Sequence, residues 1–140
     1  MYQWLYQLFL LRAHLAKVAA QQLTLDILED KFMNWNTLTN EEQLDNIFKL
    51  SFTKPQVIFK HSTRCSISTV AKTRLDKSSV DTIDFYYLDL IANRNLSNLI
   101  AEKLNVHHES PQVILIQNGN SIYDESHSSI NIDDLAAEVK

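Results

Sequence analysis

An α/β domain with a mixed central sheet flanked by helices is what this sequence predicts, and three observations carry the prediction. From Trp35 onward, short apolar runs and helical periodicities alternate in the order β-α-β-α-β-α-β-β-α. Strands that alternate with helices run parallel and are covered on both faces. Near the end, Asn118-Gly119 separates two apolar arms. A type I′ turn needs positive φ at both central residues, so this pair signals a hairpin and an antiparallel strand. Ahead of the domain lies a further apolar segment with helical spacing, which puts a helical extension at 1–32 and the α/β domain at 33–140.

The elements follow in order. In the extension, Trp4, Leu8, Leu11, Leu15 and Val18 recur at helical spacing, which reads as an amphipathic helix from Met1 to Asp30. Trp35 to Leu38 is a short strand. Thr39, with Glu42 three residues on, has the form of a capping box, and Leu44, Ile47 and Phe48 give the following helix its apolar face. After Pro55, Val57-Ile58-Phe59 is continuously apolar, as suits a strand covered on both sides. Ile67, Val70, Ala71 and Leu75 mark a helix from Cys65 to about Asp76. Ile83 to Leu90 is rich in aromatic and β-branched residues and reads as a strand that is half covered. Leu96, Leu99, Ile100 and Leu104 mark another helix. Pro111 precedes the strand Val113 to Ile116, Ile122-Tyr123 forms the returning arm, and Ser126 to Ser129 is a polar loop. Ile132, Leu135, Ala136 and Val139 place a last helix from about Asn131.

Composition removes many functions. A chain of 140 residues buries a core without disulfides or metals, and 45% hydrophobic with 21% charged residues is globular composition. Thirteen Lys and Arg against 17 Asp and Glu give a net charge of −4, which argues against a nucleic-acid binder acting through general electrostatics. One cysteine precludes an intrachain disulfide and a cysteine-rich zinc module. One glycine precludes a P-loop and a dinucleotide fingerprint, which need several so that backbone can approach phosphate. The extension is too short and too interrupted, by Arg12, His14 and Lys17, to span a bilayer. Its charge follows the apolar stretch rather than preceding it, unlike a secretory signal. It reads as a helix docked on its own domain or on a second copy, rather than as a membrane-surface anchor, because its polar face carries few basic residues.

Attention therefore falls on Cys65, which opens a predicted helix. Thiolate is the attacking form of cysteine, and the unpaired N–H groups at a helix N-terminus stabilise an anion. Six of the 13 basic residues but one of the 17 acidic ones (Asp76) fall between Lys54 and Lys77. An acidic chain thus surrounds its only thiol with positive charge, and Lys60 and Arg64 are the cations nearest to it in sequence. A free cysteine is more commonly a small buried hydrophobe, but these polar and basic neighbours favour reactivity. The histidines are His14, His61, His107, His108 and His127. His61, four residues before Cys65, suggests a metal pair or a nucleophile–base pair. Too few soft ligands accompany it for a closed zinc site, and no metal is expected.

The element order, one cysteine opening the helix after the second strand, and a proline just before the hairpin together resemble the thioredoxin fold. More narrowly, Phe59-Lys60-His61-Ser62-Thr63-Arg64-Cys65-Ser66-Ile67-Ser68 resembles the YtxJ-type monothiol bacilliredoxins, as do Met33-Asn34-Trp35 and Ser126-His127 with Ile130. The resemblance runs from about Met33 to Lys140. It implies a cytoplasmic bacterial protein that exchanges thiols and disulfides, with Cys65 as nucleophile. It further implies S-bacillithiolated clients, bacillithiol as co-substrate without a tightly bound cofactor, and a low-molecular-weight thiol or partner redoxin for regeneration. A cis Ser110–Pro111 bond is expected, with the Ser110 backbone facing Cys65. Substrate-binding roles are expected for Lys60, Arg64, Ser66, Ser68, Ser110 and Pro111, the two cations guiding the carboxylates of the small thiol. Ser68 stands where two-cysteine redoxins carry a resolving thiol, so no dithiol cycle exists within this chain. Its hydroxyl either bonds the sulfur or lies on the helix surface. Two other functions compete: a monothiol module bridging an iron–sulfur cluster, disfavoured because Cys-Ser-Ile-Ser departs from Cys-Gly-Phe-Ser, and a redox-inert adaptor of the same fold.

Overall fold

The computed structural model describes residues 2–29 and 32–139. Met1, Asp30, Lys31 and Lys140, which the predicted extension and domain include, lie outside the described residues. The chain divides into two compact units, Met1–Phe32 and Met33–Lys140. In the first unit, α1 spans Gln3–Glu29. Trp4, Leu8, Leu11, Leu15 and Val18 lie exposed on it, but so do Leu5, Phe9 and Leu10, which fall off that stripe. The expected amphipathic helix is therefore apolar around much of its first three turns. Among the described residues, no helix is long and apolar enough to cross a membrane.

The second unit contains β1 (Trp35–Thr37), α2 (Glu41–Leu50), β2 (Gln56–His61), α3 (Ser66–Asp76), β3 (Asp84–Asp89) and α4 (Arg94–Leu104). It continues with β4 (Gln112–Gln117), β5 (Asn120–Ser126), a 3₁₀ turn at His127–Ser129 and α5 (Ile132–Glu138). Five strands form one sheet in the order β1-β3-β2-β4-β5. β1, β3 and β2 are parallel, and β4 runs antiparallel to both β2 and β5. Asn118 and Gly119 both have positive φ (53° and 76°), as the hairpin signal requires. Helix α2 differs from the sequence reading in its cap. Asn40, not Thr39, caps it by accepting from the Gln43 N–H at 2.9 Å, while Gln43 Oε1 accepts from the Thr39 N–H at 2.8 Å. The cap thus lies one residue later than expected, and Gln43 in place of Glu42 reaches back to Thr39 rather than to the cap residue itself.

The sheet separates two cores. Ile58, Leu88, Ile114 and Ile116 pack with Leu44 and Ile47 of α2 and Leu96, Ile100 and Leu104 of α4. Val57, Phe59, Phe85, Val113 and Leu115 pack on the other face with Ala71 and Leu75 of α3 and Leu135 of α5. Every residue of β2 is buried, as its central place demands. Because side chains alternate along a strand, β2 sends Val57, Phe59 and His61 toward the α3 side and Ile58 and Lys60 toward the α4 side. That alternation decides what its last two residues can do for the site.

Candidate functional site

β2 ends at His61, and Ser62–Arg64 carry the chain to α3. Cys65 is the N-cap of α3, extended at φ −107° and ψ 122°, half-buried, with no side-chain capping hydrogen bond. The Cys65 N–H donates to the Ser62 carbonyl at 3.2 Å, closing a tight turn, and the Cys65 carbonyl accepts from the Thr69 N–H at 3.1 Å. The sulfur thus sits at the positive end of an 11-residue helix with no acidic residue in its first turn.

The Ser110–Pro111 bond is cis, as expected. Lys60 pairs with Gln112 across β2 and β4, so Pro111 falls at the same end of the sheet as the Ser62–Cys65 turn. The Pro111 carbonyl accepts from the His127 N–H at 3.0 Å, and His127 Nε2 lies 3.1 Å from Glu109 Oε2. The 3₁₀ turn and the proline loop are thereby joined. Ser110 Oγ is buried without a hydrogen-bond partner. Ser66, exposed at the start of α3, lines a groove of about 240 Å³ with Ile67, Val70, Arg74, His127 and Ser128.

Three expectations need correction. Lys60 does not face the thiol. It is fully buried, and its Nζ donates to the Ser97 carbonyl at 3.0 Å and meets His108 Nδ1 at 3.2 Å. Burial lowers the Lys60 ammonium from 10.5 to about 8. The cause is strand alternation: an even offset from Ile58 commits Lys60 to the α4 side. Ser68 is neither a surface residue nor observed on the sulfur. It is fully buried; its Oγ accepts from the Ser62 N–H at 3.0 Å and lies 2.6 Å from His61 Nδ1. The positive patch also disperses. Lys54 pairs with Asp84 at 2.6 Å and Lys72 with Asp76 at 2.8 Å, which leaves Arg64, exposed in the turn beside Cys65, as the expected cation that stays in place.

Sequence reasoning missed two groups. The sequence offers His61 as a metal ligand or base, but it is a buried side chain packed at a tilt against Phe59 and Tyr87, with ring centroids at 5.7 and 5.4 Å. Burial lowers its pKa, with Lys72 adding to the effect. Its flanking apolar run was the available signal. Among the described residues, no group of three or more His, Cys, Asp or Glu is placed to hold a metal. Trp35 Nε1–H donates to Asp76 Oδ1 at 2.6 Å, and the Lys72 ammonium lies 5.7 Å from the Trp35 and Tyr87 ring centroids. This ties β1 to the last turn of α3, a contact between distant segments that no local pattern announces.

A parallel-plus-hairpin sheet, a cis-proline at the strand end and one cysteine at a helix N-cap define a thioredoxin-fold thiol redox protein. Solved structures agree on the fold. A thioredoxin-fold protein described as a candidate oxidoreductase is 33% identical, covers 74% of this chain and 92% of its own, and superposes with a TM-score of 0.65. Thioredoxin f from spinach chloroplast (13% identity, 76% and 91% coverage, TM-score 0.59) and a thioredoxin from Trypanosoma brucei brucei (18%, 76% and 88%, TM-score 0.60) share the fold. The profile described as monothiol bacilliredoxin BrxC matches residues 36–135, and the chain belongs to that family.

Proposed function

We infer that this protein removes bacillithiol from protein mixed disulfides through Cys65. The observation that carries the reading is a single cysteine at the N-cap of α3 with a serine, not a second cysteine, three residues on. The Cys65 thiolate attacks the bacillithiol sulfur of a client mixed disulfide. A sulfur–sulfur bond forms between Cys65 and bacillithiol as the client–bacillithiol bond breaks, and the client cysteine leaves as thiolate and takes a proton from water. No net oxidation occurs, so no bound cofactor is required, and bacillithiol is the co-substrate. Ser68 cannot resolve the adduct because a hydroxyl does not exchange with disulfides. A second thiol, from the free pool or a partner redoxin, must attack it.

The reading places the protein in a reducing compartment, the bacterial cytoplasm, where bacillithiolated clients arise. Arg64, free to reach outward, is the cation for the carboxylates of the small thiol. The test is to mix the protein with a bacillithiolated client and follow both masses over time. One bacillithiol should appear per chain, on Cys65, as the client loses its own, and Cys65→Ser should abolish the transfer. Equal client loss with Cys65→Ser would reject the reading, as would no transfer at all, which would leave a redox-inert adaptor.

A further inference from the structure

Beneath the Cys65 turn lies a chain of buried hydrogen bonds that the exchange chemistry does not itself use. Ser68 Oγ accepts from the Ser62 N–H at 3.0 Å and stands 2.6 Å from His61 Nδ1. His61 is 5% exposed and Ser68 0%. The two are seven residues apart, yet they enclose the turn from below: His61 ends β2, Ser62 opens the turn, and Ser68 completes the first turn of α3. At 2.6 Å the pair is in close hydrogen-bond contact, and the imidazole tautomer sets which of the two donates. A hydroxyl that already receives a proton from an amide is also polarised to donate onward. A Ser68 hydroxyl that spends its one proton on His61 Nδ1 leaves its oxygen lone pairs for the Ser62 N–H.

We propose that His61 and Ser68 are positioning residues for Cys65, with Nδ1 of His61 fixing the Ser68 hydroxyl so that it holds the Ser62 amide and, through the Ser62–Cys65 turn, the attitude of the sulfur. The clamp rests on the functional reading only in taking Cys65 as the reacting thiol. Ser68 serves the cysteine through the backbone rather than by contact with sulfur.

The clamp needs Nδ1 as an acceptor. Protonation of His61 would put a proton there, so that His61 and Ser62 would both donate to Ser68 and its hydroxyl would have to turn away. The groups facing the imidazole are Lys72, Asp76 and the Ser68 backbone of α3, Asp89 and Tyr87 of β3, and the Phe59 ring on its own strand. Burial and Lys72 oppose protonation, whereas Asp89, a hydrogen bond with the Ser68 backbone and Asp76 favour it. The balance lies below the ordinary histidine value, so the imidazole is neutral at neutral pH, as an acceptor Nδ1 requires, and takes its second proton in acid.

The test uses the full chain. Nitrogen NMR of His61 at pH 7 should show the proton on Nε2 and a bare Nδ1. Ser68→Ala should raise hydrogen exchange of the Ser62 amide at least tenfold and change the second-order rate of Cys65 alkylation by iodoacetamide at least threefold. Asn presents its carbonyl oxygen where His presents Nδ1, so His61→Asn should keep both readouts within twofold of the unmodified protein. A proton on Nδ1 overturns the proposal. So does Ser68→Ala with unchanged Ser62 exchange, or with faster exchange but an unchanged alkylation rate, which would leave Ser68 with a purely structural role. Alkylation needs neither bacillithiol nor a client. The clamp can therefore fail while exchange with bacillithiolated clients stands, and the converse holds.

Discussion

Lys60→Met isolates the cost of a buried ammonium. Lys60 is fully enclosed, and among the described residues its Nζ meets neutral acceptors: the Ser97 carbonyl at 3.0 Å and His108 Nδ1 at 3.2 Å. Among the described residues no carboxylate offsets the desolvation that lowers its pKa from 10.5 to about 8. One pKa unit corresponds to about 1.4 kcal/mol, so carrying this charge into the fold costs roughly 3 kcal/mol at pH 7. The unfolded chain binds more protons than the folded one between the two values. Stability therefore rises with pH through that window, is highest above 10.5 and is lowest below about 8. At pH 9.5 the residual cost is about 1.5 kcal/mol. Methionine matches the length of the stem and does not titrate, but it leaves the Ser97 carbonyl and His108 Nδ1 without this donor. At pH 7 that loss and the removed desolvation roughly cancel, and the variant should match the unmodified protein within about 1 kcal/mol. Between pH 7 and 9.5 the unmodified protein should gain about 2 kcal/mol over Lys60→Met. Urea unfolding followed by circular dichroism at both values, with the cysteine kept reduced, reads that difference while other titrations cancel. A difference that stays flat within about 0.5 kcal/mol would refute the buried-charge argument.

Two further outcomes are expected. Arg64→Ala should slow exchange with a bacillithiol mixed disulfide by roughly two- to fivefold, the scale of an exposed charge contact, and leave exchange with a neutral small thiol nearly unchanged. High salt should erase the difference, and equal slowing of both substrates would remove Arg64 from recognition. A chain of residues 33–140 should unfold cooperatively and keep the alkylation rate of Cys65, because both buried cores draw all their members from that span. Aggregation or loss of the cooperative transition would show that α1 completes the fold.

The elements were legible because each carried a local cause. Asn118-Gly119 announced the hairpin through its positive φ values, and the alternation of strand and helix announced the parallel order. Cys65 stood out through helix spacing on one side and polar neighbours on the other. What sequence distance misjudged was direction. Lys60 and His61 are adjacent in the chain, and a count of charges along Lys54 to Lys77 treated that segment as one patch. In the fold, Lys54 is held by Asp84, Lys72 by Asp76, and Lys60 lies under the other face of the sheet. Strand pairing brings Asp84 beside Gln56 across β2 and β3, a juxtaposition with no trace in the local pattern. Ser68 was misjudged for a related reason: whether an N-terminal helix residue is exposed depends on what the preceding strand places under it, and here that is His61.

The last two residues of β2 then have complementary duties. His61 turns to the α3 face and reaches Ser68, three residues after Cys65. Lys60 turns to the α4 face and reaches His108, three residues before Pro111. The segment carrying the cysteine and the segment carrying the cis-proline, which lie at the same end of the sheet, are each tied to one of two consecutive positions on a single buried strand. A sheet interior gives its side chains little freedom to relax, so both ties hold their segments to a common reference. This accounts for a lysine in the core, where an apolar residue would fill the space without a desolvation cost. An aliphatic side chain there could pack against α4, but it could not donate to His108 and hold the approach to the proline.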